Sequence, residues 1–245
     1  MLQQLFESGP ATQRDLRAEL EKSRSTVARS LTSLEEQNWV TKEHESYHLT
    51  PVGELLTEEF LELAEMVQTT EKLSVFLTWF PYFDHDLDIE QLQSADITVY
   101  TAGDPYAPGR SQTEFIQETD VFRGIFPAID LEGAKVAHEQ IMNETLEAEI
   151  IVSPEVKKTI ASGEFAPIFR EQLQTDRLTV LSVERSMPFY VGLSDGTAIQ
   201  IGVADDDGMP RALLESSDGT LREWAEGQYQ EYRSEAQIVS PHHFA

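Results

Sequence analysis

The feature that most constrains the fold of this chain is a change in the spacing of its apolar residues near Pro81. Before that residue, apolar positions recur every three or four residues, which is the spacing of one face of an α-helix. After it, short runs rich in β-branched residues, such as DITVY and EIIVS, alternate with helical segments. The sequence therefore predicts a helical N-terminal part and a C-terminal mixed α/β domain around a central sheet.

The first fifty residues predict two short helices followed by a hairpin. Thr12 begins a capping-box pattern for one helix, and Ser23 is a suitable N-cap for the next. Strand-forming residues at both ends of 39–50 flank the polar turn EHES, and Thr50 with Pro51 is suited to open another helix. Helix, turn, helix, hairpin and helix is the order of a winged helix-turn-helix module.

The second short helix differs in charge from the rest of the chain. From Lys22 to Leu34 it carries three cations and no acid, and Val27, Leu31 and Leu34 mark its inward face. We expect its outward face to enter the major groove of double-stranded DNA, although a helical hairpin of an unrelated domain is the alternative. The predicted DNA-binding residues are Arg24, Ser25, Thr26, Arg29, Ser30 and Ser33 in the helix, with Lys42 and His44 in the wing.

Acidic residues dominate the composition, with 44 Asp and Glu against 18 Lys and Arg and a net charge of -26. Residues 1–50 hold six cations and eight acids (-2), so residues 51–245 hold 12 and 36 (-24). Self-repulsion of this size destabilises a folded chain in dilute buffer, whereas molar salt shortens the Debye length to about 3 Å. The charge, together with only six lysines, therefore predicts a protein of a halophilic archaeon, although an ordinary acidic protein is the alternative.

Other features narrow the class of protein. The chain contains no cysteine, which excludes disulfides, thiolate-bound zinc and cysteine catalysis. No apolar run approaches the roughly 18 residues of a membrane span, and the start MLQQLFESGP lacks the order of a signal peptide. We therefore predict a cytoplasmic protein without a membrane partner.

The predicted organisation has three parts: a winged helix-turn-helix domain over 1–53, a connecting helix over 54–80 and the α/β domain over 81–245. The connector is apolar at helical spacing, which suggests a homodimer seam, with a break expected near Thr69 and Thr70. Only the seven residues MLQQLFE precede the helix pair, so the first helix of the module is expected to be truncated at its start.

Several segments together resemble a known family of archaeal regulators. SRSTVARSLTSLEEQNWV and YHLTPVGELL resemble the DNA-binding half of archaeal winged-helix regulators. DITVYTAGDPYAPGR, VFRGIFP, IIVSPEV and LREWAEGQYQEYRSEA resemble the sensor domain of the methanogenesis-regulator family, which is related to TrmB-type regulators. The resemblance implies a sequence-specific transcription regulator with an N-terminal winged helix, a C-terminal effector or dimerisation domain and no required metal, and we predict no cofactor. Glu21 departs from the pattern, because it stands where such regulators carry a turn glycine.

A candidate effector site follows the first predicted strand of the α/β domain. The loop DPYAPGR, residues 104–110, is expected either to border a small-molecule pocket or to be a rigid turn. Ser153 either caps the helix that follows it or helps to hold an anion. The candidate effector-binding residues are Asp104, Tyr106, Arg110, Arg123 and Ser153.

The sequence gives little support to an enzymatic function. Related sensor domains resemble a phospholipase-D-like fold, whose chemistry needs a His with a Lys two residues later, and none of the six histidines has one. The acidic stretches DHDLD (84–88) and DDDG (205–208) are expected to be solvated surface, and His242 with His243 to lie on a tail. We therefore predict no catalytic residue and no metal site.

The sequence thus predicts a dimeric, effector-responsive, DNA-binding regulator of transcription. The alternative is a ligand-binding or interaction protein that no longer binds DNA and titrates a partner regulator.

Overall fold

A computed structural model describes residues 1–240, except the side chain of Phe83; His242 and His243 lie outside the described residues. The chain divides into two compact units between Gln68 and Thr69, a position inside the predicted connector. None of the helices in the described part combines the length and apolarity that crossing a bilayer requires.

The first unit has the element order predicted for a winged helix-turn-helix module, which confirms that prediction. Its three strands form an antiparallel sheet in the order β1-β3-β2. The elements are α1 (Leu2–Ser8), β1 (Ala11–Thr12), α2 (Gln13–Glu19), α3 (Arg24–Glu36), β2 (Val40–Glu43), β3 (Ser46–Leu49) and α4 (Pro51–Lys72), which continues into the second unit.

Local hydrogen bonds set the starts of the two short helices. The Thr12 hydroxyl accepts from Asp15 N at 3.3 Å and the Asp15 carboxylate accepts from Thr12 N at 3.1 Å, which confirms the capping box. Ser23 Oγ accepts from Thr26 N at 3.2 Å, which confirms Ser23 as the N-cap of α3. Between the helices, Glu21 has φ 49°, so the turn keeps the left-handed geometry that favours glycine.

A small apolar core holds the first unit together. It is formed by side chains from three helices and two strands: Leu5, Leu16, Val27, Leu31, Val40 and Tyr47. Helix α4 approaches this core closely at Gly53, where a Cβ atom would lie 1.9 Å from the Trp39 carbonyl oxygen. Thr50 Oγ1 accepts from Gly53 N at 3.0 Å, and α4 begins at Pro51 as predicted.

Helix α4 does not break where the sequence suggested. The prediction of a break near Thr69 and Thr70 was wrong, because Leu73 N still donates to Thr69 O at 2.9 Å and the helix continues to Lys72. The chain bends at Leu73, which is fully buried, and then forms α5 (Ser74–Trp79). The interruption of the helix therefore lies at a buried leucine and not at the two threonines.

The second unit is built on an eight-stranded sheet, which confirms the predicted mixed α/β class. The strand order is β11-β7-β6-β5-β8-β9-β10-β4, with β5, β6 and β7 parallel and the other pairs antiparallel. The strands are β4 (Asp96–Val99), β5 (Val121–Phe126), β6 (Glu147–Val152), β7 (Leu178–Ser182), β8 (Tyr190–Leu193), β9 (Ile199–Ala204), β10 (Pro210–Ser216) and β11 (Gln237–Ile238).

Helices cover both faces of this sheet, and each face has its own apolar cluster. The helices are α6 (Ala107–Gln117), α7 (Leu131–Met142), α8 (Pro154–Ile160), α9 (Phe165–Gln172) and α10 (Gly219–Glu235), with short 3-10 turns at Tyr82–Asp84 and Ile89–Leu92. Helices α6 to α9 contribute to the cluster that contains Phe122, whereas α5 and α10 contribute to the one that contains Ile125. Successive residues of a strand point to opposite faces, so β5 supplies both clusters.

Two prolines explain where the sequence-based prediction of helices failed. Helix α6 begins at Ala107, inside the stretch predicted to be a loop, with Pro108 in its first turn. Helix α9 was not predicted, and Pro167 also lies in its first turn. Proline lacks an N–H group that the first turn of a helix would leave unpaired, so it is compatible with these positions.

Candidate nucleic-acid interface and ligand cavity

The outward face of α3 presents exposed hydrogen-bonding and cationic side chains. Arg24, Ser25 and Arg29 are exposed, whereas Val27 and Leu31 are buried on the opposite side. Arg29 Nε donates to Ser25 O at 3.3 Å, which directs the guanidinium toward the start of the helix. The N-terminal turn of α3 and two arginines therefore occupy one open surface, where a phosphate or a base edge can be received.

The other predicted contacts of α3 lie on a different flank of the helix. Thr26, Ser30 and Ser33 line a groove of about 650 Å³, together with Arg29 and residues of α1 and α4. Leu34 and Phe60 make part of this groove apolar. The predicted DNA-binding residues of α3 thus form an open set (Arg24, Ser25 and Arg29) and a groove-lining set (Thr26, Ser30 and Ser33), and Arg29 also contacts the groove.

The wing contributes one exposed cation and a tight turn. Lys42 is exposed, with its Nζ 5.5 Å from the centre of the Tyr47 ring. His44 begins the two-residue turn between β2 and β3 with φ 55°. Glu43 and Glu45 are exposed beside them, so the tip of the wing is not a basic surface.

Helix α4 carries a row of exposed apolar side chains, which we call the apolar stripe. Its members recur every three or four residues over 16 positions of this 22-residue helix and are each 39% to 66% exposed: Val52, Leu55, Leu56, Phe60, Leu63, Met66 and Val67. Glu59 lies within the stripe by its helical position, and Glu54, Glu58 and Glu62 lie along one border. A contiguous exposed apolar surface of this kind marks an interaction site.

Three of the predicted effector residues lie around the start of α6. Arg110 Nη1 donates to Asp104 Oδ1 at 2.8 Å, and Arg110 Nη2 pairs with Asp104 Oδ2. The hydrogen bond from Arg110 lowers the pKa of the Asp104 carboxyl below its usual value. Tyr106 is 69% exposed next to this pair. The two charges compensate each other in an ion pair whose side chains are 56% and 45% exposed.

The remaining two effector candidates lie elsewhere. Arg123 makes a two-point ion pair with Glu226, at 2.9 and 2.6 Å, and its guanidinium lies 5.4 Å from the centre of the Tyr229 ring. These partners belong to α10, so Arg123 is on the face of the sheet opposite to α6. Ser153 Oγ accepts from Val156 N at 3.1 Å and donates to Pro127 O at 3.2 Å, which confirms its role as the cap of α8.

The cavity of the second unit lies beneath α6, α7 and α9, against strands β5, β6 and β7. It has a volume of about 590 Å³, and both Tyr106 and Arg110 contribute to its lining. Most of the lining is apolar, and Gln172 of α9 is a buried polar member. The sequence pointed to the Tyr106 side of this cavity but missed Gln172, because its helix was not predicted.

Aspartates of the two acidic stretches, 84–88 and 205–208, form hydrogen bonds that close or cap neighbouring turns. The Asp205 carboxylate accepts from Met209 N at 2.9 Å, Asp207 N at 3.1 Å and Arg211 Nε at 2.7 Å, and so closes the turn before β10. These hydrogen bonds lower the pKa of the Asp205 carboxyl below its usual value, and the one from Met209 N contributes most. Asp88 caps the turn that begins at Ile89. Within residues 1–240, no three His, Asp or Glu side chains are grouped as metal ligands.

Two family models match the sequence. "Methanogenesis regulatory protein FilR1, middle domain" matches residues 105–235, and "HVO_A0261 N-terminal domain" matches residues 1–72. A comparison with curated proteins finds no match.

Comparison with solved structures finds, among others, an archaeal chromatin protein and two proteins called NucT and Nuc. TrmBL2, an archaeal chromatin protein, is 10% identical with a TM-score of 0.47 over 97% of this chain and 91% of its own. NucT from Helicobacter pylori is 12% identical, with a TM-score of 0.46 over 60% of this chain and 99% of its own. Nuc from Salmonella typhimurium, a phospholipase D family member, is 9% identical with a TM-score of 0.44 over 60% and 99%.

Proposed function

We propose that this chain, which belongs to the family of the methanogenesis regulatory protein FilR1, is a sequence-specific DNA-binding regulator of transcription that acts as a homodimer and responds to a small molecule. The family match confirms the resemblance seen in the sequence. In this proposal the first unit binds DNA, helix α4 forms the dimer seam and the second unit binds the effector without any catalytic step.

The observation that carries the proposal is the open face of α3. In a chain with a net charge of -26, the residues from 22 to 34 include no acid, and Arg24, Ser25 and Arg29 are exposed together. Phosphates are repelled by carboxylates at short range, so a helix that enters a groove must be free of them where the backbone approaches. The open set of α3 residues meets this requirement.

Electrostatic attraction alone does not provide tight binding at high salt. With about four phosphate contacts, the logarithm of the association constant is expected to fall with the logarithm of salt concentration at a slope near -3.6. Hydrogen bonds from Ser25 and the arginines to base edges, together with the use of two half-sites by a dimer, compensate for this loss. Specific contacts are thus more important here than net charge.

The apolar stripe of α4 supports the homodimer. Its seven exposed side chains have the three- and four-residue spacing of a helix that packs against a parallel or antiparallel copy of itself. Because α4 starts directly after the wing, a seam along α4 would fix the separation of the two α3 helices, and this separation sets the spacing of the half-sites. A change in the second unit could reach the DNA contacts through the same helix.

Fluorescence anisotropy with a duplex of the protein's own promoter tests the proposal, measured at several potassium chloride concentrations up to the molar range. We expect Arg29→Ala to weaken specific binding by roughly 5- to 100-fold. If Arg29 contacts a phosphate, the salt slope also falls by about 0.9, whereas a base contact leaves the slope unchanged and relaxes sequence preference. Lys158→Ala, at an exposed cation of α8 in the second unit, is the control with the same change in charge.

Equal losses in the two variants would contradict the role of α3. A dimer that binds no duplex at any salt concentration would instead support the alternative, a protein that titrates a partner regulator.

A further inference from the structure

We infer that the groove between α1, α3 and α4 of the first unit receives the Phe60 side chain of a second copy of this chain. Under this inference Thr26, Ser30 and Ser33 of α3 contact the partner and not DNA. The inference deepens the homodimer included in the proposed function and rests on it. It adds that one flank of the helix predicted to enter DNA belongs to the dimer interface.

The lining of the groove favours an apolar side chain. Its volume is about 650 Å³, and Leu2, Leu34 and Leu61 are half-buried along its walls. Thr57 also lines it and is 1% exposed, but its hydroxyl already donates to Gly53 O at 2.6 Å. The groove therefore offers apolar surface to an occupant, and a polar group placed against these leucines would be buried without a partner.

The surface around Phe60 is self-complementary. In a two-fold dimer each copy presents the same patch to the other, so that patch must carry both a projection and a recess. Phe60 is the largest and most exposed member of the apolar stripe, at 66%. It also lines the groove, so the projection and the recess lie side by side on α4. With the two-fold axis close to this residue, Phe60 of each copy reaches the groove of the other.

The size of the combined surface suits a stable dimer. Specific protein interfaces use roughly 20 to 30 residues on each partner. The stripe has seven members and the groove has 11 lining residues, with Phe60 in both, so together they supply 17 residues. The stripe alone would make a small interface, whereas the stripe and the groove together approach the usual size.

Charge also favours a second copy as the occupant. Arg29 is the one charged side chain among the lining residues, all of which the structure describes. Glu58, Glu59 and Glu62 are exposed on α4 around Phe60, so a partner's α4 brings carboxylates toward a groove that carries a cation and no acid. Duplex DNA would also meet the arginine, but protein–DNA interfaces are more polar than this lining.

Two tryptophan variants of α3 test the inference by a crossed design. Ser30→Trp fills the groove, whereas Thr32→Trp adds the same ring to the exposed face, two helical turns after Ser25. We expect Ser30→Trp to raise the dimer dissociation constant at least about tenfold in sedimentation velocity, because two rings do not fit one groove. Thr32→Trp should leave this constant within about threefold of the wild type.

DNA binding should show the reverse order. The probe is a duplex cut to one half-site of the protein's footprint on its own promoter, and fluorescence anisotropy measures its binding. Thr32→Trp should weaken half-site binding at least about tenfold, and Ser30→Trp should leave it within about threefold. If Ser30→Trp does not fold, Ser33→Trp replaces it, since Ser33 is an exposed residue of the same groove.

Truncation of the projecting side chain provides a second test. Phe60→Ala should raise the dimer dissociation constant at least about 100-fold, because an aromatic side chain seated in a recess contributes most to an interface. Leu55→Ala is the matched control: Leu55 is 59% exposed in the same stripe but does not line the groove. Its truncation should raise the constant by no more than roughly 30-fold.

Three results would overturn the inference alone: Ser30→Trp dimerises as strongly as the wild type, the two tryptophan variants lose equal dimer stability, or Ser30→Trp loses half-site binding while its dimer persists. The last result would make DNA the occupant of the groove. A wild type that is monomeric at every concentration would contradict both this inference and the homodimer of the proposed function. A dimer that follows the crossed pattern in a protein that binds no duplex would support the groove contact and contradict only the regulatory role.

Discussion

Replacement of Leu63 by alanine should weaken the proposed homodimer without unfolding the subunit. Leu63 lies near the middle of the apolar stripe and is 56% exposed in the single chain, so it has little packing to lose there. Alanine and leucine are both strong helix formers, and α4 should remain helical. Any loss of association in this variant therefore reports on the seam.

The expected loss of dimer stability follows from the exposed fraction of the Leu63 side chain. Full burial of a leucine side chain stabilises by about 2 kcal/mol, so covering the 56% that is exposed would contribute about 1 kcal/mol for each protomer. Because the dimer is two-fold symmetric, both protomers carry the substitution and the loss is about 2 kcal/mol in total. The loss of about 2 kcal/mol raises the dimer dissociation constant roughly 30-fold.

Sedimentation velocity over a concentration series in molar potassium chloride measures this constant. Glu62→Ala, at the border of the stripe on the same helix, is the control and should change the constant by less than about threefold. If Leu63→Ala associates as strongly as the wild type, or if the wild type is monomeric throughout, the stripe is not a dimer seam.

Three further predictions concern stability. Gly53→Ala should destabilise the first unit by about 3 kcal/mol or more, because the new Cβ would lie 1.9 Å from Trp39 O. Gly227→Ala is the comparison: it has open space around it in α10 and should stabilise the protein by about 1 kcal/mol. Thermal unfolding of both variants measures the difference. Glu21→Gly should raise the free energy of unfolding by about 0.5 to 1 kcal/mol in a denaturant titration, since Glu21 has φ 49°. The hydrogen bond from Arg233 lowers the pKa of Glu149 below 4.5, so its stabilisation is present above that pH and lost as pH falls through the lowered folded-state pKa. Glu149→Gln should therefore be less stable than the wild type by about 1 to 2 kcal/mol at pH 7 in urea titrations, and the deficit should disappear in acid; a constant deficit would contradict this.

The elements that were predicted correctly are those specified by neighbouring residues. Ser23 caps α3 and Val27 and Leu31 define its buried face, and both signals are contained within one short segment. The strands of the second unit were likewise visible as apolar runs. The bend was predicted four residues too early, at Thr69; it lies at Leu73, which packs in the core of the second unit, and no local pattern reveals that packing.

The candidate site could be predicted only in part. The face of α3 follows from helical spacing, whereas the division of its polar residues between an open surface and a groove depends on where α1 and α4 pack. The ligand cavity combines residues from 105 to 210, a span that sequence reasoning does not assemble. Gln172 was missed because Pro167 made its helix resemble a loop.

Glu59 gives the stripe on α4 a further property. It lies at a helical position between Leu55 and Leu63, so a symmetric pair of helices would bring one carboxylate from each copy into the seam, alongside the glutamates at the border. Mutual repulsion of these groups is strong in dilute solution and is screened at molar ionic strength. Desalting would then dissociate the dimer while each copy remains folded, so dimerisation would depend on the salt concentration of the surroundings.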